Sequence, residues 1–144
     1  MHARVNSSRS EEPPDAPTAG RSVALVDRRH GRSLRVELLE GPPSRTDYDV
    51  AVYRLIPNRT PRYARVSVHH GHPMRDVSPN PLMTLEGLAG MMMLIDRTSG
   101  RGLGFIFFET EDAMLRGDEF VSTAPPGTAG PASSVELYEV LELT

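Results

Sequence analysis

A repeated β-hairpin pattern constrains the fold of this 144-residue sequence more than any other feature. The stretch SVALVDRRHGRSLRVELLE (22–40) aligns without gaps with MMMLIDRTSGRGLGFIFFE (91–109). The identical pairs are Leu25/Leu94, Asp27/Asp96, Arg28/Arg97, Gly31/Gly100, Arg32/Arg101, Leu34/Leu103 and Glu40/Glu109. Each copy has two β-rich runs around a polar turn with glycine, which tolerates the positive φ that tight hairpins need. The sequence therefore predicts two related hairpins within one chain, the result of a duplication.

The segments around the hairpins differ between the two copies. A strand pattern follows each hairpin, YDVAVYRL (48–55) in the first copy and SSVELYEV (133–140) in the second. The second copy also has a strand before its hairpin, YARVSVHH (63–70), and two predicted helices, at 80–88 and from Glu111. Its order is therefore β, short α, β, β, α, β, which is the ferredoxin-like motif.

These patterns predict an α+β fold built from ferredoxin-like antiparallel sheets. Residues 63–144 form the nearly complete unit, and residues 21–57 form a truncated, β-rich first repeat without helices or an opening strand. Residues 1–20 are rich in Ser, Pro and charged side chains and bury too little apolar surface to offset their ordering entropy. They are predicted to be a disordered tail.

The strands of the second hairpin are apolar on both faces. In LGFIFFE, Leu103, Phe105 and Phe107 point one way, while Ile106 and Phe108 point the other. An antiparallel strand with one solvated face would alternate apolar and polar residues, so both faces are predicted to be buried. Either the two repeats pack together as an intrachain pseudo-dimer, or a second chain completes a homodimer, and both arrangements give a barrel-like core.

The second unit resembles the antibiotic-biosynthesis-monooxygenase-like family of dimeric α/β barrels. The matching stretches are the strand YARVSVHHG, the hairpin and helix start GMMMLIDRTSGRGLGFIFFETEDAM, and the last strand VELYEV. The resemblance covers about residues 63–144, with 21–56 as a degenerate echo. It implies a ferredoxin-like unit paired through its sheets.

The resemblance and the histidine cluster in SVHHGHPM together leave three functions open. It implies either a non-catalytic member of the fold, with a small-molecule-binding or structural role, or a cofactor-independent monooxygenase acting on a small aromatic, polyketide-like substrate. The haem-degrading branch of the family is expected to use a Trp, and this chain has none. A His-dependent metal-binding protein is the third reading. The shortened helices favour the non-catalytic role, and no bound cofactor is expected.

Candidate site residues lie mainly in the second unit. A pocket for a small hydrophobic or aromatic ligand is predicted from pliable, aromatic and phenolic side chains: Met91, Met93, Phe105, Phe107, Tyr53, Tyr138 and His70. In SVHHGHPM (67–74), His70 and His72 are weak candidates for metal ligands, because imidazole binds Zn, Cu or Ni. A solvated strand end is the alternative interpretation of this cluster.

The composition limits which binding partners and which cellular compartment the sequence predicts. The net charge of −3 and the pI near 5.9 give no basic footprint for nucleic acid. No apolar run reaches the roughly 18 residues that span a bilayer, and the start has no secretory apolar core. With no cysteine in the chain, disulfides and thiolate metal sites are excluded. The sequence therefore predicts a cytoplasmic protein with no nucleic-acid or membrane partner.

Overall fold

Eight β-strands and one α-helix make up the regular structure in the computed structural model, which describes residues 1–15, 20–70, 83–122 and 132–144. The strands close into one antiparallel barrel. Their bounds are β1 His2–Ser8, β2 Arg21–Asp27, β3 Arg32–Leu39, β4 Tyr48–Leu55, β5 Tyr63–His69, β6 Leu88–Ile95, β7 Gly102–Phe108 and β8 Ser134–Leu143, and the helix α1 is Glu111–Ser122.

The two halves of the chain have the same strand order. Around the barrel the order is β1-β3-β2-β8-β5-β7-β6-β4, so β4-β1-β3-β2 is followed by β8-β5-β7-β6 in matching positions. Both predicted hairpins are confirmed, β2–β3 and β6–β7. Their turns contain Gly31 and Gly100 at φ 62° and 75°, the left-handed region that glycine adopts without a steric penalty.

The predicted ferredoxin-like α+β fold of the dimeric α/β-barrel type is wrong. The pairings β2–β8 and β4–β6 join the two halves edge to edge, so a single chain closes the barrel without a partner sheet. In the described ranges α1 is the one α-helix. Residues 40–47, which connect β3 to β4, form only turns and bends, too short a segment to lay a helix across the sheet.

Two local predictions also need correction. Residues 2–8, within the predicted disordered tail, form β1, which pairs with the whole of β3 and supplies the opening strand that the first half was expected to lack. Within the predicted helix at 80–88, residues 80–82 lie outside the described ranges, residues 83–84 form a short 3₁₀ turn, and Leu88 already belongs to β6. Residues 2–8 are too polar to fold by themselves, and their pairing with β3 orders them.

The barrel interior and its outer surface have separate apolar cores. The interior core draws on both halves of the chain and includes Leu25, Val36, Met92, Phe105 and Phe107. The outer core lies between the sheet and α1. Its buried members are Leu88, Met91, Ile106, Phe108, Ala113 and Met114. Burial on both faces, as the apolar pattern of β7 predicted, follows from these two cores.

Helix α1 covers part of the outer surface, over β5 and β7. Thr110 caps it as predicted, because the Thr110 hydroxyl accepts a hydrogen bond from the Ala113 amide at 3.1 Å. Glu111 and Asp112 occupy the first turn, where carboxylates favour the helix dipole. Within the described ranges, no helix combines the length and apolarity needed to cross a membrane.

The seam between β1 and β4 is the shortest pairing in the barrel. Only His2↔Asp49 and Ala3↔Tyr48 are paired there. The Asp47 side chain, fully shielded from solvent, lies just before β4 and accepts hydrogen bonds from the Ser44 amide at 3.0 Å and Arg4 Nε at 3.2 Å. His2 Nε2 lies 3.3 Å from the same carboxylate. Side chains therefore reinforce the seam where the backbone ladder is short.

Candidate functional site

An open cleft of about 560 Å³ runs along the first half of β8. Its floor is mostly apolar and comes from the outward-facing side of the sheet and from α1, with Val26, Tyr63, Met114, Leu115, Val135 and Leu137 among the lining residues. Val135 is 39% exposed and Leu115 is 47% exposed. Apolar side chains left accessible in a concave surface are typical of a binding site.

Two elements form the walls of this cleft. The β2–β3 turn, residues 28–31, lies on one side of β8, because β2 pairs with β8 only as far as Val26↔Glu139. Helix α1 lies on the other side and contributes Glu111, Met114 and Leu115. The repeated D-R-x-x-G-R turn therefore has a specific place in the first copy, as one wall of the cleft.

A polar network ties the β2–β3 turn to β8 along the rim. Asp27 accepts hydrogen bonds from Arg32 Nε at 2.8 Å and contacts His30 Nδ1 at 2.8 Å. Arg32 also pairs with Glu136 at 3.2 Å, and Glu136 accepts a hydrogen bond from the Tyr138 hydroxyl. The Arg32 guanidinium lies over the Tyr138 ring, 5.8 Å from its centroid. One cation thus links two carboxylates and a phenol.

The pKa values of two network members are shifted in opposite directions. Burial alone would raise the pKa of Asp27, but hydrogen bonds from His30 and Arg32 outweigh it and lower that pKa below its usual value. Burial and the hydrogen bond to Glu136 hold the pKa of Tyr138 well above its usual value. At neutral pH Asp27 is therefore ionised and Tyr138 is a neutral donor. Since their charges and donors are already matched, these groups are suited to positioning rather than proton transfer.

Four of the predicted pocket residues lie together inside the barrel. Phe105, Phe107 and Tyr138 are buried in the interior core, and Tyr53 packs against it. The Phe105 and Phe107 rings stack at 6.5 Å. Burial raises the pKa of Tyr53 above its usual value. These side chains fill interior space, and of the four only Tyr138 also lines the cleft.

The other predicted pocket residues lie elsewhere. Met91 belongs to the outer core beneath α1, and buried Met93 lies opposite Val52, which packs against that same core. The interior methionine on this strand is Met92. His70 is exposed at the end of β5, and His72 lies outside the described ranges. In the part of the chain that the structure describes, no group of three or more His, Cys, Asp or Glu could hold a metal ion.

Sequence reasoning missed both the rim network and a buried histidine. Asp27, His30 and Arg32 stand in a charged turn that looks like ordinary surface. His69, only 4% exposed, continues the outward row of Arg65 and Ser67 on β5. The strict alternation in YARVSVHH was the available signal, since it placed these three polar side chains on one face.

Comparisons with known proteins found solved structures with a similar fold. No protein-family model and no curated protein sequence matches the chain. Its structure is similar to the crystal structure of a "putative monooxygenase" from Lactobacillus acidophilus NCFM, with a TM-score of 0.55 and 12% identity, covering 86% of this chain and 79% of that one. A protein of the same designation from Fusobacterium nucleatum subsp. nucleatum has a TM-score of 0.51 and 16% identity, covering 85% and 76%. The chain shares their fold. At these identities the similarity shows a shared fold, and it does not establish an activity.

Proposed function

We propose that this protein binds a small hydrophobic or aromatic molecule in the cleft along β8, without catalysing a reaction. The cleft volume of about 560 Å³ carries this proposal, because it falls within the range of small-molecule sites. Its apolar floor would hold the body of the ligand, and its polar rim would orient one end.

The charges of the rim indicate what kind of polar end fits. Arg32 is paired with Asp27 and Glu136, and Arg28 is paired with Glu139 at 2.9 Å. A charged ligand group would have to compete with these internal pairs. At these two paired arginines, the rim therefore favours a neutral group that donates or accepts hydrogen bonds over a charged one.

A cofactor-independent monooxygenase is the second candidate, and the shared fold of the two structural neighbours favours it. Interior packing argues against a reaction chamber inside the barrel. Phe105, Phe107 and Met92 are each no more than 1% exposed, and they occupy the centre where an aromatic substrate would lie. A reaction would therefore have to take place outside the barrel interior, and the cleft along β8 is one site that the described residues form there.

We also infer that the two halves descend from a duplication, so that one chain acts as an intrachain pseudo-dimer. The matching strand orders and the seven identical hairpin positions support this inference. Duplication followed by loss of helices in one half explains why α1 flanks one cleft on β8 and has no described counterpart beside β4.

Titration with 2-naphthol, followed by methyl NMR, tests the binding function. We expect the methyl resonances of Val135, Leu137 and Leu115 to shift together in a saturable way. Val135→Ser removes apolar contact from the cleft and should weaken binding about tenfold, the effect of roughly 1.4 kcal/mol of lost burial.

Leu141→Ser is the matched control, because Leu141 is an exposed aliphatic residue on the same strand outside this cleft. It should change the Kd less than twofold. Equal effects of both substitutions, or an absence of shifts at the cleft, would refute the proposal. Oxygen consumption that depends on both protein and 2-naphthol, with one oxygen atom incorporated into the product, would establish the monooxygenase instead.

A further inference from the structure

A row of three buried polar side chains lies on the outer face of β5, next to the cleft. Arg65, Ser67 and His69 are 3%, 4% and 4% exposed. They alternate along the strand, so all three point to the same side of the sheet. Polar groups are seldom buried unless they are hydrogen-bonded, so each member should have a partner.

Two members of the row have their partners. Arg65 Nε donates to Asp118 of α1 at 2.8 Å. The Ser67 hydroxyl donates to the Gly104 carbonyl at 3.4 Å and lies 2.9 Å from His69 Nε2. When the Ser67 proton is directed to Gly104, His69 Nε2 carries the ring hydrogen and donates it to Ser67. The opposite ring nitrogen, Nδ1, is then a bare acceptor.

His69 Nδ1 is buried and has no hydrogen-bond partner among the residues that the structure describes. Burial, together with the nearby charges of Arg65 and His70, lowers the pKa of His69, which keeps the ring neutral and its lone pair available. A buried acceptor without a partner costs free energy that a matching donor would recover. The structure therefore contains an acceptor that a ligand could satisfy.

His69 lies beyond one end of the cleft, on the strand that pairs with β8, and it is not itself a lining residue. Ser67 pairs with Val135, which lines one end of the cleft. His69 follows two residues later, about 7 Å further along the strand. On the other side, Ser67 and His69 pair with Gly104 and Gly102 of β7, which have no side chains. Because His69 and both glycines are buried, a ligand extending past Val135 would have to displace the residues that cover them to approach His69.

We propose that His69 Nδ1 accepts a hydrogen bond from a hydroxyl group on the cleft ligand, and that the ligand is a hydroxylated aromatic molecule. This inference rests on the proposed binding function and specifies its ligand class. His69 acts here as a specificity residue, because an ether or a hydrocarbon of the same shape would leave Nδ1 unpaired.

Phenol and anisole test this proposal, since anisole keeps the ring and the oxygen but lacks the donor. With the full chain labelled at histidine nitrogens, we expect phenol to shift the Nδ1 resonance of His69 and to bind about tenfold more tightly than anisole. Methyl shifts at Val135 report cleft occupancy independently for both probes.

Two substitutions separate the roles of the two ring nitrogens. His69→Asn places an amide oxygen near the position of Nδ1, while His69→Gln extends its amide to the position of Nε2. The preference for phenol should largely persist in His69→Asn and disappear in His69→Gln. Thermal unfolding and the cleft methyl spectrum of each variant establish that it is folded.

The outcomes distinguish this inference from the proposed function. If phenol and anisole shift Val135 with equal affinity while the Nδ1 resonance stays fixed, the role of His69 is refuted and the binding cleft stands. If neither these probes nor 2-naphthol shifts the cleft methyls, both proposals fail. A phenol preference that survives in both variants would also overturn the assignment to Nδ1.

Discussion

At the scale of single residues, the Asp47 side chain connects a loop to a strand through several contacts. Its carboxylate is inaccessible to solvent and contacts His2, Arg4 and the Ser44 amide. These contacts connect the 41–47 loop to β1, next to the two residue pairs of the seam. A buried carboxylate with several donors is costly to disrupt, because its partners lose their counter-charge together.

Replacing Asp47 with Asn should lower the free energy of unfolding by about 2–4 kcal/mol. The amide keeps the shape of the carboxylate but loses the charge and presents an N–H₂ group to existing donors. Urea denaturation at pH 7 measures the change. Asp15→Asn, at an exposed aspartate, is the control and should change stability by less than about 0.5 kcal/mol. Equal values for the two variants would contradict this role.

The same carboxylate predicts a dependence of stability on pH. Burial alone would raise the pKa of Asp47, but the Ser44 amide, Arg4 and His2 outweigh it and lower that pKa. The unfolded chain therefore takes up the proton first as pH falls. The stabilisation is complete above the unfolded pKa of about 3.9 and is lost as pH drops through the lower folded pKa. Denaturation below pH 4 should show a shallower loss for Asp47→Asn than for the unmodified protein.

At the scale of elements, close packing of α1 on the sheet depends on Gly117. A Cβ atom built at this position would lie 2.4 Å from Cζ of Phe108, whose ring is fully buried. The ring cannot turn away without disturbing the outer core of Met91, Ile106 and Met114. The glycine thus allows the helix to approach β7 at the cost of some helix propensity.

Gly117→Ala should destabilise the protein by about 1–3 kcal/mol, although alanine favours a helix by about 1 kcal/mol over glycine. Thermal or urea unfolding measures the net effect. Arg116→Ala, on the exposed side of the same helix, should stay within about 0.5 kcal/mol of the unmodified protein. Adding Phe108→Leu should recover part of the loss in the double variant. A stabilising Gly117→Ala would show that the ring can move aside.

Local sequence signals predicted some elements well and left others undetermined. The hairpin turns and the start of α1 depend on Gly31, Gly100 and Thr110, whose conformational preferences act over a few residues. The interior and outer faces of β6 could not be assigned, because MMMLI has no polar residue to mark either face. The sequence alone therefore groups Met91 with Phe105, whereas the observed register places Met92 opposite Phe105 and Met91 opposite Ile106.

The candidate site depends on contacts between residues that are distant in the sequence, and local sequence patterns do not predict such contacts. Of the pocket residues that the sequence predicts, Tyr138 is the one that lines the cleft. Arg32, which lies over its ring, and Asp27, which pairs with Arg32, come from more than 100 residues earlier. They reach Tyr138 only because β2 pairs with β8. The sequence does not predict strand β1 for a similar reason, since pairing with β3 and not its own composition makes this segment ordered.

At the scale of the whole molecule, resistance to local opening should vary around the barrel. Strands β5, β6 and β7 pair along most of their length and have apolar cores on both faces. Strand β4 has a full partner on one side only, and Ala51, Arg54 and Leu55 are exposed. The seam is therefore the place where the barrel opens most easily.

Amide hydrogen exchange followed by NMR measures this difference. Amides of β5 and β7 that are bonded within the sheet should exchange only through global unfolding. Amides of β4 and the β1 side of the seam should exchange at least about tenfold faster, through local opening. Equal protection in β4 and β7 would show that the seam side chains make the barrel fully cooperative. Asp47→Asn should widen the difference if the carboxylate holds the seam.

Closure of the barrel through β2 and β8 also has a consequence for biosynthesis. Leu25 and Val140 are neighbours in the sheet, so β2 emerges from the ribosome long before its partner strand exists. Until then the nascent first half exposes a strand edge with apolar residues on both sides, a surface that promotes aggregation. Formation of this long-range pairing should be slow. Productive folding of the newly made chain is therefore expected to depend on chaperones that shield β2 until translation has passed β8.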